Sequence, residues 1–122
     1  MYDKNNVFAK ILRGELPNKT IFENEFALSF WDINPVSTKH AIVIPKGGYV
    51  EYYDFVANAS APEQLGFLEA FRKTVELLGV EGNFNTLTNS IKPPFFLQSV
   101  PHFHLHVIGG EKIVPPEKWG SP

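Results

Sequence analysis

The segment His102-Phe103-His104-Leu105-His106-Val107-Ile108 places three of the chain's four histidines at every second position of one apolar stretch. Two residues is the strand period. Extended backbone would set three imidazoles on one face and turn Phe103, Leu105 and Val107 toward a core. Same-face neighbours on a strand lie ~6.6 Å apart and the outer pair ~13 Å. At that separation His102 and His106 cannot easily share one metal with near-tetrahedral angles, although two neighbours together with His40 could hold zinc. A phosphate ester suits the spacing better: the middle imidazole acts as nucleophile while its neighbours donate hydrogen bonds to phosphoryl oxygens. Histidine serves both tasks because its ordinary pKa lies near neutrality. Three solvated side chains on an edge strand are the bland alternative.

Other polar residues admit two readings each. Asp32, ahead of Ile33-Asn34-Pro35, can accept from a pair of vicinal hydroxyls or cap a turn through its own side chain. Ser99 can donate to a phosphoryl oxygen or merely finish a loop, and Gln98 beside it is equally open. His40 opens an apolar strand, either as the partner that fixes the tautomer of another imidazole or as a buried structural histidine. Phe8, Ile11 and Phe30 read as plain core more often than as a slot for a flat ligand. Lys46 reads as an ordinary surface charge.

These groups need a scaffold, and the chain can supply one. With 122 residues, 43% of them hydrophobic, it can bury a single core. One domain over 1–110 and an extended tail over 111–122, rich in proline, are expected. Eleven basic and thirteen acidic residues leave a formal charge of −2, which argues against a nucleic-acid partner. The absence of cysteine removes disulfides and thiolate metal sites. No apolar run suggests a signal peptide or a membrane span, so a cytoplasmic protein is expected.

Val7, Phe8, Ile11 and Leu12 recur at helical spacing before Gly14, which predicts a short helix. Residues 20–23, 27–31 and 41–45 are short, β-branched or aromatic, and separated by turn formers, which predicts an antiparallel meander broken at Gly47-Gly48. Ser60-Ala61-Pro62-Glu63 has the form of a capping box. Leu65, Leu68, Phe71, Val75 and Leu78 then outline the buried stripe of a long helix stopped by Gly79. Residues 84–88 predict a strand, and 102–108 the last strand, closed by Gly109-Gly110. The sum is an α+β domain: a five-stranded antiparallel sheet with one long and one short helix.

The histidine segment resembles the signature of the histidine triad (HIT) family, in which His alternates with apolar residues. Four further segments are similar to its Hint (histidine triad nucleotide-binding) branch: 7–17, Phe30-Trp31-Asp32-Ile33-Asn34-Pro35, His40-Ala41-Ile42-Val43-Ile44-Pro45-Lys46, and Gln98-Ser99-Val100. Their order and approximate spacing agree along nearly the whole chain. The resemblance implies a HIT-like fold whose protomers join sheets in a homodimer, with the tail reaching toward the other subunit. It also implies a nucleotidyl hydrolase or transferase of the nucleoside phosphoramidase type, acting at the α-phosphate of a purine nucleotide conjugate.

By the same likeness His104 is the nucleophile that forms a nucleotidyl-histidine intermediate, and His102 orients it through its main-chain carbonyl. His106 and Ser99 bind the α-phosphate, Gln98 lies near the leaving group, and Asp32 accepts from the ribose. Val7, Phe8, Ile11, Phe30 and Ile33 line the base pocket, and Asn89 joins the substrate-binding set. No cofactor is implied. No structural zinc is expected, since the cysteines and extra histidine that hold it in some relatives are replaced at Val7 and Lys10. The chain departs from the branch at Asn89-Ser90-Ile91-Lys92-Pro93-Pro94-Phe95-Phe96-Leu97, a longer and more apolar loop with Leu97 where the branch has glycine. It predicts a bulkier rim to the site or a surface packed on a partner subunit. Two other functions stay in view: a nucleotide-binding module without catalysis, and the zinc site built on His40.

Overall fold

The computed structural model describes residues 2–90 and 100–119. Helix α1, Val7–Leu12, begins at Asn6, whose side chain accepts from the Ala9 N–H at 2.8 Å; Gly14 follows its end at φ 77°. Strands β1 (Thr20–Glu23), β2 (Ala27–Trp31) and β3 (Ser37–Pro45) form the meander. Helix α2, Tyr52–Asn58, and helix α3, Ala61–Leu78, come next, followed by β4 (Phe84–Leu87) and β5 (Leu105–Lys112). A single 3₁₀ turn at Pro116–Lys118 follows β5. The sheet is antiparallel throughout, in the order β1-β2-β3-β5-β4.

Alternation along the strands divides the core. Ala27, Ala41, Val43 and Val107 share one face with Phe55, Phe67, Ala70, Leu78 and Phe103; Leu28, Phe30, Ile42 and Ile44 pack with Phe8 on the other. The two longer helices cover the first face, and α1 covers part of the second. The capping box of α3 forms as expected: the Glu63 N–H donates to the Ser60 hydroxyl at 3.2 Å, and the Ser60 N–H donates to the Glu63 carboxylate at 2.9 Å. The same carboxylate accepts the Tyr49 hydroxyl at 2.9 Å, tying the helix start to the loop after β3. Gly79 closes α3 at φ 71°.

Four expectations need correction. Helix α2 was not foreseen; Tyr52, Phe55, Val56 and Ala59 carry its period, and Glu51 caps it by accepting from the N–H groups of Tyr53 and Asp54. Strand β3 starts at Ser37 rather than residue 41.

The buried stripe of α3 is also rotated. Phe67, Ala70, Thr74, Val75 and Leu78 face inward, while Leu65 and Leu68 are 67% and 59% exposed. The helix approaches the sheet where it is smallest: a Cβ at Gly66 would lie 2.6 Å from the Phe26 ring, so small residues face inward and the leucines turn out. Finally, β5 begins at Leu105 and runs through Gly109 and Gly110 to Lys112, so His102 and His104 precede the ladder instead of riding on it.

Candidate active site

The register of β3 and β5 opposes Ile42 to His106 and His40 to Ile108, which makes His40 and His106 diagonal neighbours on the α1 face. Their side chains meet, Nε2 of His40 lying 2.8 Å from Nδ1 of His106. Asp32 follows β2, and its N–H donates to the His40 carbonyl at 3.0 Å, which carries the β2–β3 pairing one step on. Its Oδ2 stands 3.2 Å from His40 Nε2 and 3.6 Å from His106 Nδ1. Its Oδ1 accepts the Asn34 N–H at 2.8 Å, so the turn-capping reading of this residue is realised too.

The backbone around these rings assigns their tautomers. The Val36 N–H donates to His40 Nδ1 at 3.0 Å, so the proton of neutral His40 sits on Nε2. Donation from there to His106 Nδ1 leaves the His106 proton on its Nε2. The His102 Nε2–H donates to the Pro45 carbonyl at 2.7 Å, and His104 Nδ1–H donates to the His102 carbonyl at 2.9 Å. The Nε2 of His104 therefore keeps its lone pair, and among the described residues nothing hydrogen-bonds it. The Thr88 hydroxyl donates to the His104 carbonyl at 2.7 Å, and the Phe8 ring meets the His104 ring edge-on at 4.9 Å between centroids. The His104 and His106 rings stand 5.3 Å apart.

Burial keeps these rings neutral. It pushes His102 down to about 4 against the opposing Pro45 contact, and His106 down to about 3, with the neighbouring charges of His104 and His40 adding to the effect. His104 and His40 are lowered for the same reason, with Asp32 opposing both shifts.

The expected array of three outward imidazoles is thus not formed. His102 has no exposed surface and both its ring nitrogens are engaged, so it cannot donate to a phosphoryl oxygen; with the His104 Nδ1–H committed to the His102 carbonyl, only His106, through Nε2–H, is left to do so. The zinc site of two triad members with His40 is not formed either, because only His106 reaches His40. Asp32, His40 and His106 do bring ligand atoms within 4.8 Å of one another. A metal there would need the His40 Nε2 lone pair and would drive the proton onto Nδ1, against the Val36 N–H, so this donor set fits a metal poorly.

Of the expected base pocket, Phe8 and Phe30 are buried together with Ile11 beside them, whereas Val7 is 48% and Ile33 90% exposed and neither joins the cluster. Asn89 is half-buried just after Thr88. Gln98 and Ser99, with the loop from Ile91, lie outside the described residues. Sequence reasoning missed Thr88, and nothing in its spacing distinguishes it. It also missed Trp119, which lines a cavity of about 100 Å³ with Asp32, His40 and His106.

The chain belongs to the HIT family: the HIT domain model matches residues 13–113. A 13.2 kDa HIT-like protein of Azospirillum brasilense is 44% identical over 115 residues, 93% of each chain. The 14 kDa zinc-binding protein of Zea mays is 32% identical over 117 residues, 91% of this chain and 86% of that one. Among solved structures, a HIT family hydrolase from Clostridium thermocellum superposes with TM-score 0.71 at 29% identity, covering 93% of this chain and 96% of that one. No helix among the described residues is long and apolar enough to cross a membrane.

Proposed function

We propose that this chain is a nucleotide-binding hydrolase or transferase that cleaves purine nucleoside phosphoramidates, or related nucleotide conjugates, at the α-phosphate. The observation that carries the reading is the tautomer of His104: Nδ1–H is committed to the His102 carbonyl and Nε2 offers a lone pair on a ring that meets Phe8 of the Phe8, Ile11 and Phe30 cluster. In the first step Nε2 attacks phosphorus, the P–N bond to the amine breaks, and the amine leaves with a proton drawn from solvent. Neutral His106 donates its Nε2–H to a non-bridging oxygen as charge develops there. In the second step water adds to phosphorus, the P–Nε2 bond breaks, and nucleoside monophosphate is released with return of the proton. The carboxylate of Asp32 accepts from the ribose hydroxyls, with Ile33 exposed beside it to close over the sugar or base. Ser99, Gln98 and Asn89 complete the phosphate and leaving-group contacts in this reading.

His104→Ala is expected to lower turnover of adenosine 5′-phosphoramidate by more than about a thousandfold while adenosine monophosphate still binds. Unchanged turnover would end this mechanism. Mass spectrometry of the wild type mixed with substrate is expected to trap an adenylylated His104; a module that only binds nucleotide leaves no adduct. Stoichiometric zinc on elemental analysis of the purified protein would favour the metal reading instead. A homodimer fits the edge position of β4 and the exposed Val56, Leu65 and Leu68, and sedimentation measures it directly.

A further inference from the structure

The residue that completes the environment of His102 comes from far away in sequence. The Tyr2 hydroxyl lies 2.6 Å from His102 Nδ1, and the two rings meet edge-on with centroids 5.5 Å apart. Because Nε2–H is committed to the Pro45 carbonyl, which can only accept, Nδ1 carries the lone pair and the Tyr2 hydroxyl is the donor. His102 is wholly buried, so without that donor Nδ1 would be an orphaned acceptor. The seat of the Tyr2 ring is built for it: a Cβ at Gly48 would lie 2.9 Å from one ring carbon of Tyr2 and 3.0 Å from the next. That gives Gly48 a task that a break in the strand pattern did not reveal. Gly47 is constrained separately, by the ring of Tyr49.

We propose that Tyr2 is a positioning residue for the His104 nucleophile, seated on Gly48 and acting through His102. Its O–H and the Pro45 carbonyl hold the His102 ring at both nitrogens. A half-turn of that ring would replace each nitrogen by a C–H and break both bonds. The His102 main-chain carbonyl, which fixes the proton of His104 on Nδ1, is the next atom group along from the ring so held. Tyr2 touches no reacting atom, and its effect on chemistry runs entirely through that carbonyl. This proposal rests on the role given to His104 above.

The test uses Tyr2→Phe, Gly48→Ala and the double variant in the full chain, with adenosine 5′-phosphoramidate as substrate and His104→Ala beside them. Tyr2→Phe keeps the ring and loses the donor. It is expected to lower kcat about tenfold with KM changed less than about twofold. Gly48→Ala is expected to do the same by displacing the ring, and the double variant to be no slower than the slower single one. Nitrogen-15 spectra without substrate are expected to show His102 Nδ1 as a hydrogen-bonded acceptor in the wild type and as a free acceptor in Tyr2→Phe. Wild-type kcat in Tyr2→Phe, or a free-acceptor Nδ1 signal in the wild type, overturns the proposal. Turnover that survives His104→Ala overturns the mechanism instead, and the ligand-free Nδ1 signal still reports on Tyr2 by itself.

Discussion

The two faces of the sheet are closed by different means. On the helical face Phe55, Phe67 and Phe103 stand within about 5 Å of one another, and α2 and α3 lie over them, leaving a largely apolar cavity of about 560 Å³ between the helices and the β4–β5 edge. On the other, α1 contributes only six residues, and much of the closure is polar: Val36 to His40, His40 to His106, His102 to Pro45, Tyr2 to His102. An apolar cluster tolerates adjustment and gains stability from area alone. A chain of directed hydrogen bonds fixes protons. Apolar packing and directed hydrogen bonding are thereby assigned to opposite sides of one sheet, with Phe103 and His104 pointing to each from adjacent positions.

Phe103→Ala breaks the helical face and is expected to lower unfolding free energy by about 3–5 kcal/mol, read by urea denaturation. Loss of less than about 1 kcal/mol would mean that the aromatic cluster is not the core. His104→Ala should do the reverse, abolishing turnover with little loss of stability. Acid sharpens the contrast. Burial holds all four histidines below their ordinary 6.5, so the unfolded chain takes up protons that the fold refuses.

The stability due to those neutral rings is whole above pH 6.5 and declines as pH falls toward about 4, each refused proton removing about 1.4 kcal/mol per pH unit. Hydrogen exchange at pH 5 is expected to show residues 100–104 and the start of β3 opening ahead of α3. The acid limb of kcat/KM, which reports free His104, should lie below pH 6.5, and a limb above it would contradict the burial seen here. The smallest effect is Ser60→Ala, about 1 kcal/mol of stability with kcat unchanged.

The sequence was most legible where local rules decide. Ser60, Glu63 and Gly79 fix both ends of α3 through contacts within a few residues, and the β1–β3 meander follows from apolar runs between turn formers. It was misleading where packing across the molecule decides. Leu65 and Leu68 have the right spacing for a buried stripe, yet Gly66 and Ala70 permit a closer approach and the leucines are turned outward.

The alternation of the histidines was read as one strand face. Their rings do share the α1 face, His102 and His104 both meeting Phe8, but only His106 lies on the strand, and His102 is spent on the Pro45 carbonyl, a partner 57 residues away. His40 and Asp32 were picked out, but their meeting with His106 depends on strand register, which no short motif states. Tyr2 and Thr88 act through single hydroxyls at long range and leave no periodic trace.

Tyr49 links the two sides. Its hydroxyl donates to Glu63 at the start of α3, and its carbonyl accepts the Phe103 N–H at 2.6 Å, one residue from each of His102 and His104. Burial, together with the Glu63 contact, pushes this phenol up to about 12, so it stays a donor across any pH at which the protein works. The helix end and the histidine segment are accordingly braced by a strut that does not slacken as the imidazoles titrate. Acid is thus expected to loosen one anchorage of residues 100–104 while this one holds.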